Sequence, residues 1–307
     1  MLALTIPWLL ALLTIATIVC MIKKKWKVTL LLFGVMLAFN WWSECIPVRI
    51  NLFDKPERGR SIKVLSYNID GSMELIRPKA SAIANLIKQN NPDIVFIAEF
   101  SELYPDALDT LLRDTYPYTT YRCHIYYSNY FYSRYPIVSH RKLTKDNGQN
   151  ICCHEGKLDV YGDTITVLGC HLSSNNYTQS RAYITPDSIN SGRDMITYIK
   201  DIKYAHNMRV QETNTIAKTL TKCNSPIILM GDFNDVGGSV AIRTLEKVGL
   251  KNAWWERGVG YGATIHKPLP YRIDHIMYSP ELKLQKIEVV SSKGLSDHDA
   301  LYAEFIY

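Results

Sequence analysis

Twenty-one consecutive residues, Leu2 to Ile22, carry no charge and a single proline. At 1.5 Å per helical residue such a run spans about 30 Å, the thickness of a bilayer core, so it is expected to fold as a membrane-crossing helix. A second apolar run, Val28 to Trp42, is shorter and reaches spanning length only if stretched toward Ile50, through Glu44, Pro47 and Arg49. Lys23, Lys24, Lys25 and Lys27 lie between the runs, where only a tight turn fits, and Trp8, Trp26, Trp41 and Trp42 lie near their ends, where indole rings favour the interface. Residues 1–50 therefore read as a transmembrane region of two apolar segments, about 2–22 and 28–46, held in the lipid bilayer as a helical hairpin. A cleaved signal peptide is the alternative, but its positive charge precedes its apolar core, and here the charge follows. Four lysines in a short loop favour the cytoplasmic side, which would make this an integral protein of the inner or cytoplasmic membrane with everything after residue 50 on the outer face. Arg49, Lys55, Arg58 and Arg60 pull the other way.

The composition, 47% hydrophobic and 21% charged over 307 residues, excludes a disordered or collagen-like polymer and leaves room for a large core. The formal charge of +6 is partly concentrated in the lysine loop, so a chain-wide polybasic nucleic-acid binder is not indicated. Cys123, Cys152, Cys153, Cys170 and Cys223 form no CxxC and no zinc spacing; they read as buried thiols, with at most one disulfide if the domain lies outside.

After the linker 51–60, short β-rich runs begin. Residues 62–67, 93–98, 164–170, 226–230, 273–278 and 300–306 read as strands, several too continuously apolar to be half exposed, as central strands of packed sheets are. Helical periodicity appears at 79–89 and 194–220, the latter with Met195, Ile199, Ile202, Ala205, Met208, Ile216 and Leu220 as its apolar face. Strands with intervening helices give a layered α/β domain over 61–307.

The informative residues are the polar ones at strand ends. Asn68 closes the first strand, Glu99 the second and His171 the third; Asp232 and Asn234 follow ILMG, Asp274 lies in RIDHIMYS, and Asp297 and His298 lie in SDHD. Each alone has a plain explanation as a turn or surface residue. Six apolar strands each ending in a metal-compatible or proton-handling group are harder to ascribe to turn chemistry. Mg²⁺, or Mn²⁺ in its place, takes carboxylate and amide oxygens, so Glu99 with Asn68 and Asp297 suits it, and such an ion polarises a phosphoryl oxygen. Histidines can hydrogen-bond phosphoryl oxygens or move protons, Asp274 can fix a histidine tautomer, and Asp232 can orient or deprotonate an attacking water.

LSYNI (65–69), PDIVFIAEF (92–100), YSRYPI (132–137), GCHL (169–172), ILMGDFND (228–235), RIDHIMYS (272–279) and SDHDAL (296–301) resemble, in order, the motifs of the endonuclease/exonuclease/phosphatase superfamily, the DNase I-like fold. GDFN and SDH are the specific pieces. The resemblance implies a four-layered α/β-sandwich, two packed mixed β-sheets flanked by helices, and a metal-dependent phosphodiesterase or phosphomonoesterase. It implies metal-site roles for Asn68 and Glu99, a nucleophile-orienting and phosphate-binding pair in Asp232 and Asn234, an Asp-His dyad in Asp274 and His298, a second histidine in His171, and an acid before the dyad histidine in Asp297.

The family's members cut DNA, RNA, inositol phosphates and sphingomyelin with similar centres, so the resemblance leaves the substrate open. The expectation is a membrane-anchored Mg²⁺-dependent phosphoesterase acting on a lipid headgroup or other extracytoplasmic phosphoester. Alternatives are a tethered nuclease acting on nucleic acid and, in another class, a catalytically silent binding module; no obligate protein partner is inferred. The segment 175–192 and the following helix read as a solvated loop and surface helix, or as a wall over the site from which Arg181, Arg193 or Arg209 reaches substrate phosphate. Tyr126, Tyr127, Tyr130 and Tyr132 alternate as strand residues do, with packing the first reading and substrate stacking the second.

Overall fold

Period-two alternation decides which way each strand faces, and here both faces of the central strands are buried. The computed structural model describes residues 2–47, 59–70, 73–100, 105–120, 128–145, 148, 150–175, 192–266 and 269–307. In chain order the elements are α1 (Leu2–Ile22), α2 (Trp26–Ser43), β1 (Ser61–Asn68), α3 (Met73–Asn90), β2 (Ile94–Phe100), α4 (Pro105–Leu112), β3 (Tyr118–Thr119), β4 (Ser128–Ser133), β5 (Ile137–Thr144), β6 (Asn150–Val160), β7 (Asp163–His171), α5 (Gly192–Leu220), β8 (Ile227–Asp232), α6 (Val240–Glu246), β9 (Lys251–Asn252), α7 (Ala253–Arg257), β10 (Asp274–Tyr278), β11 (Lys283–Val290) and β12 (Ala300–Ile306). The six strands expected from sequence are all present, and both expected helices lie within α3 and α5.

The strands form two six-stranded mixed sheets, in the orders β11-β12-β1-β2-β4-β3 and β5-β6-β7-β8-β10-β9. At the centre of the first, β1 runs parallel to β2 and antiparallel to β12. At the centre of the second, β8 runs parallel to β7 and antiparallel to β10. Between the sheets lie Ile62 and Val64, Ile94 and Phe96, Ile165 and Val167, Ile228 and Met230, and Leu301, Ala303 and Phe305. The alternate residues face outward and are covered by helices. Leu65, Tyr67, Val95 and Ile97 pack with Ile83 and Ile87 of α3 and Leu108 of α4, while Leu168, Cys170 and Leu229 pack with Ile216 of α5 and Ile242 of α6. This is the four-layered α/β-sandwich, and each fully buried aliphatic or aromatic side chain in it stabilises by about 1.5–3 kcal/mol.

The apolar face expected on α5 is only partly used. Ile199 is 45% exposed, whereas the buried stripe runs Ala205, Arg209, Glu212, Thr213, Ile216 and Leu220, mixing charge into a core face. Tyr130 and Tyr132 are buried on the outer side of the first sheet, which makes them packing residues; Tyr126 and Tyr127 lie outside the described residues. No disulfide forms among the described cysteines.

At the N-terminal end, α1 and α2 pack as a hairpin through a turn at the lysines. Thr5–Ile22 is long and apolar enough to cross a membrane, and Trp26–Trp41 is a shorter apolar helix. Leu12, Ile22, Leu30, Leu31 and Trp41 project outward, 65–75% exposed, apolar surface of the kind that marks a membrane or protein contact. The helix α2 stops at Ser43 because Glu44 adopts a left-handed conformation (φ 51°). Residues 48–58, most of the expected linker, lie outside the described residues.

Candidate active site

The inward stripes of the two sheets end at one edge of the sandwich, and they end in polar groups. In β1 the stripe Ile62, Val64, Ser66 terminates at Asn68; in β7, Ile165, Val167 and Gly169 lead to His171; in β8, Ile228 and Met230 lead to Asp232. Strand β10 runs the other way, so its first residue, Asp274, lies opposite Asp232. His171 lies beside Asp232 in the parallel β7–β8 pair. Gly231 is required just before Asp232, because a Cβ there would stand 1.9 Å from the Cys170 carbonyl and its φ is +145°.

Glu99 is in the wrong phase for this edge, and a bulge corrects it. Ala98 faces inward and Phe100 packs outward, the β2–β4 register shifts between Ile97 and Phe100, and Glu99 itself takes φ +58°. The extra residue turns the carboxylate into the gap between the sheets. Asp70 and Asn234 also have positive φ, so three polar residues of this edge sit in a sparsely populated backbone region, a pattern that clusters at functional sites.

The side chains converge. Asn68 Nδ2 donates to Glu99 Oε1 and to Asp232 Oδ2, both at 3.0 Å, and its Oδ1 accepts from the Asp70 amide at 3.1 Å. His171 Nε2 lies 3.2 Å from Glu99 Oε1 and 3.8 Å from Asp232 Oδ2. His298 places Nδ1 2.8 Å from Asp274 Oδ2 and Nε2 3.8 Å from Asp232 Oδ2. Asn234 donates its amide N–H to Asp232 Oδ1 at 2.7 Å and its side-chain Nδ2 to the Leu172 carbonyl at 2.9 Å. Asn234 as seated thus braces Asp232 and the strand end that carries His171.

Burial, and then the charge of Asp274, push the Asp232 carboxyl up, with His298 and His171 opposing. For His298, burial pulls the imidazole down, but the charge and hydrogen bond of Asp274, followed by the charges of Asp232 and Asp297, outweigh it and hold the group at about 10. His298 is therefore an imidazolium between two carboxylates at neutral pH, a donor placed where a phosphoryl oxygen could be met.

The residues fit a hard divalent cation at the open side of the site. Glu99 is 24% exposed and Asp297 is exposed, and the Asp70 carboxyl beside them is pushed up, first by burial and then by the charges of Asp297 and Glu99. Carboxylates that crowd so closely are relieved by a cation. Glu99, His171 and Asp232 offer ligand atoms within 4.8 Å of one another, as do Asp232, Asp274 and His298. Asp70 was not among the residues singled out from sequence; an acid two positions beyond Asn68 was the available signal.

Arg209 takes a different place from the one expected. Its side chain is 1% exposed, Nε bonds Asp235 Oδ2 at 3.2 Å, and Nη1 bonds the Ser173 carbonyl at 2.8 Å and Asn175 Oδ1 at 2.9 Å. Glu212, one turn on, accepts from the Ser173 amide and hydroxyl. A guanidinium so engaged ties α5 to the segments following His171 and Asp232 and is closed to substrate. Arg181 lies outside the described residues, as does the Arg193 side chain.

Residues 65–298 match the family model described as the Endonuclease/Exonuclease/phosphatase family. No curated protein matches the chain. Among solved structures, humanized D. rerio TDP2 superposes with a TM-score of 0.62 at 15% identity, covering 80% of this chain and 99% of that one. The 3′ phosphatase NExo from Neisseria, bound to a product DNA hairpin, gives 0.58 at 16% identity, covering 80% and 100%. An endonuclease/exonuclease/phosphatase family protein from Bacteroides thetaiotaomicron gives 0.58 at 16% identity, covering 82% and 99%. At these identities the likeness is one of fold.

Proposed function

Because the chain belongs to the Endonuclease/Exonuclease/phosphatase family, a family of metal-dependent phosphoric ester hydrolases, we propose that it is a membrane-anchored, Mg²⁺-dependent phosphoesterase that hydrolyses a phosphodiester or phosphomonoester by in-line attack of water. The observation that carries this reading is the convergence of Asn68, Glu99, His171, Asp232, Asp274 and His298 from both sheets onto one edge. Glu99, with Asn68 and Asp297 beside it, holds the cation, which when bound supplies positive charge to a phosphoryl oxygen. Asn68 turns its amide oxygen toward that ion only by giving up its bonds to Glu99 and Asp232, so in its present seat it orders the two carboxylates.

Asp232 orients the attacking water and takes its proton, while the bond from the Asn234 amide keeps the other carboxylate oxygen occupied. His298, held by Asp274, donates to a phosphoryl oxygen and stabilises the charge that grows on it, and His171 acts from the Glu99 side. The long apolar helix and the exposed apolar faces of the hairpin support an anchor in the inner or cytoplasmic membrane, and the lysine loop favours the outer face for the catalytic domain. A domain held there meets lipid headgroups and other external phosphoesters before it meets a chromosome, which favours such substrates. A tethered nuclease is the second reading, favoured by the DNA-bound fold relatives TDP2 from D. rerio and NExo.

The test is a screen of the full chain in lipid nanodiscs with Mg²⁺ against sphingomyelin-type lipids, inositol phosphates, DNA and RNA, each with and without EDTA. EDTA-sensitive release of phosphate or headgroup supports the first reading, and preferential cleavage of nucleic acid the second. No turnover of any of them would leave a binding module.

A further inference from the structure

Arg272 is 2% exposed, two residues before Asp274, and its guanidinium is spent on main-chain carbonyls. Nη1 donates to Tyr261 O at 2.7 Å and to Cys45 O at 3.3 Å, and Nη2 donates to Glu44 O at 2.9 Å. Two of the three acceptors belong to the end of the N-terminal hairpin, about 230 positions earlier in sequence. The guanidinium also lies over the Trp254 ring, 5.5 Å from its centroid. Burying a guanidinium is costly: burial lowers its pKa to about 10, even with Cys45, Tyr261 and Glu44 opposing the shift. A methionine or leucine would fill the space without that cost, so the fork geometry, which joins three separate carbonyls, is the feature that needs an arginine.

The same hairpin end presses on a second site loop. Gly238, at φ +73°, leaves so little room that a Cβ would stand 2.6 Å from the Ser43 carbonyl, and a Cβ on Gly237 would stand 3.2 Å from the Glu44 carbonyl and 3.1 Å from Arg272 Nη2. Gly237 and Gly238 end the turn that begins with Asp232 and Asn234. On the other side, Tyr261 and Thr264 are bonded to the residues that lead into the dyad. Thr264 Oγ1 accepts from the Ile273 and Asp274 amides at 3.2 and 3.1 Å, Thr264 O accepts from the Asp299 amide at 2.7 Å, and Ile273 O accepts from the Phe233 amide at 2.9 Å.

From these contacts we infer that Arg272 is a positioning residue, through which residues 43–45 of the hairpin hold the Asp232–Gly238 loop and residues 261–264 and 271–274 at their working separation. The hairpin is then part of the active-site scaffold as well as an anchor. Catalysis is sensitive to this, because a displacement of about 1 Å far from the chemistry can cost on the order of 100-fold. The inference rests on the proposed roles of Asp232, Asp274 and His298.

The test uses the full chain in nanodiscs, with bis(p-nitrophenyl) phosphate and Mg²⁺ as the activity probe and amide hydrogen exchange as a readout independent of turnover. Arg272→Met is expected to raise exchange at Ile273, Asp274 and 236–238 while β1 and β2 stay protected, and to lower kcat about 10–100-fold with KM within about twofold. Arg272→Lys, which keeps the charge but not the fork, should recover only part of both effects. Gly238→Ala attacks the contact from the opposite side and should reproduce them; with Arg272→Lys it decides the question if Arg272→Met does not fold. Unchanged exchange in both loops, or exchange that rises evenly across the domain with kcat per folded molecule intact, would overturn the inference. Full activity in His298→Ala would instead sink the reading of the site itself, whatever the exchange data show.

Discussion

Asp232 and Asp274 are register partners across the antiparallel β8–β10 pair, both buried, and the imidazole of His298 spans them, with Nδ1 2.8 Å from Asp274 Oδ2 and Nε2 3.8 Å from Asp232 Oδ2. Two carboxylates this close in a dry site cannot both hold charge without a counter-charge. The imidazolium supplies it, and the strand pairing keeps the acids in register. Asp232, Asp274 and His298 therefore act as one unit.

Losses within that unit should not multiply. Asp274→Asn removes the charge that holds His298 protonated and oriented; His298→Ala leaves Asp274 buried without its partner. Each is expected to cost about 10²–10⁴-fold in kcat. The double variant should be little worse than the poorer single, as in groups that work together. Kinetics of the four-member cycle would refute the coupling if the double loss equalled the product of the singles.

Glu99→Gln keeps shape and the contact with Asn68 but removes the charge that would hold a cation. Activity is expected to fall by orders of magnitude. A binding readout separates this from damage to the fold: Mg²⁺ should raise the melting temperature of the wild type, since a ligand of the native state stabilises it, and should leave that of Glu99→Gln unmoved. Equal stabilisation of both proteins would remove Glu99 from the metal site.

The placement of Asn68, His171 and Asp232 was legible because each is in phase with an inward apolar stripe, and period two survives in the sequence. Glu99 was found as a strand-end acid, but its orientation depends on a bulge with no glycine or proline to announce it. Asp70 was passed over because it sits beyond the strand, where an acid reads as a turn residue. The burial of Arg209 was not legible, because arginine on a helix after a polar loop is usually solvated or free to reach a phosphate; it depends on Asp235 and on the carbonyl of Ser173, partners far off in sequence. The same applies to Arg272, two of whose three acceptors lie at the other end of the chain. Edge strand β5, with Val138 66% exposed, lacks the apolar run that made β1 and β2 conspicuous.

His154 makes the fold sensitive to acid. It is buried on β6 with Nδ1 3.0 Å from His140 Nε2, and burial, followed by the positive charges of His140 and Lys142, lowers it from 6.5 to about 3. Between those values the unfolded chain binds a proton that the folded chain refuses, so stability falls as pH drops from about 6.5 toward 3 and is independent of this group above that window. His275, buried and likewise lowered to about 3, adds in the same direction. Melting temperatures across that range should fall with pH, and His154→Gln should flatten the slope by the equivalent of about one proton. A slope identical in wild type and variant would show that another group titrates.

Orientation in the membrane can be read from a thiol. Cys152 is exposed on β6, within the catalytic domain, whereas Lys23, Lys24, Lys25 and Lys27 cluster at the far turn of the hairpin. If the lysine turn is cytoplasmic, two passes bring the domain to the outer face. A membrane-impermeant maleimide added to right-side-out vesicles should then label Cys152 before lysis to the same extent as after it, and Cys152→Ser should lower the labelling by one thiol per chain. A cysteine placed at Lys24 should react only after the vesicles are opened. The reverse pattern, Cys152 protected and position 24 labelled, would put the catalytic domain inside, with Arg49, Lys55, Arg58 and Arg60 as the charges that set orientation.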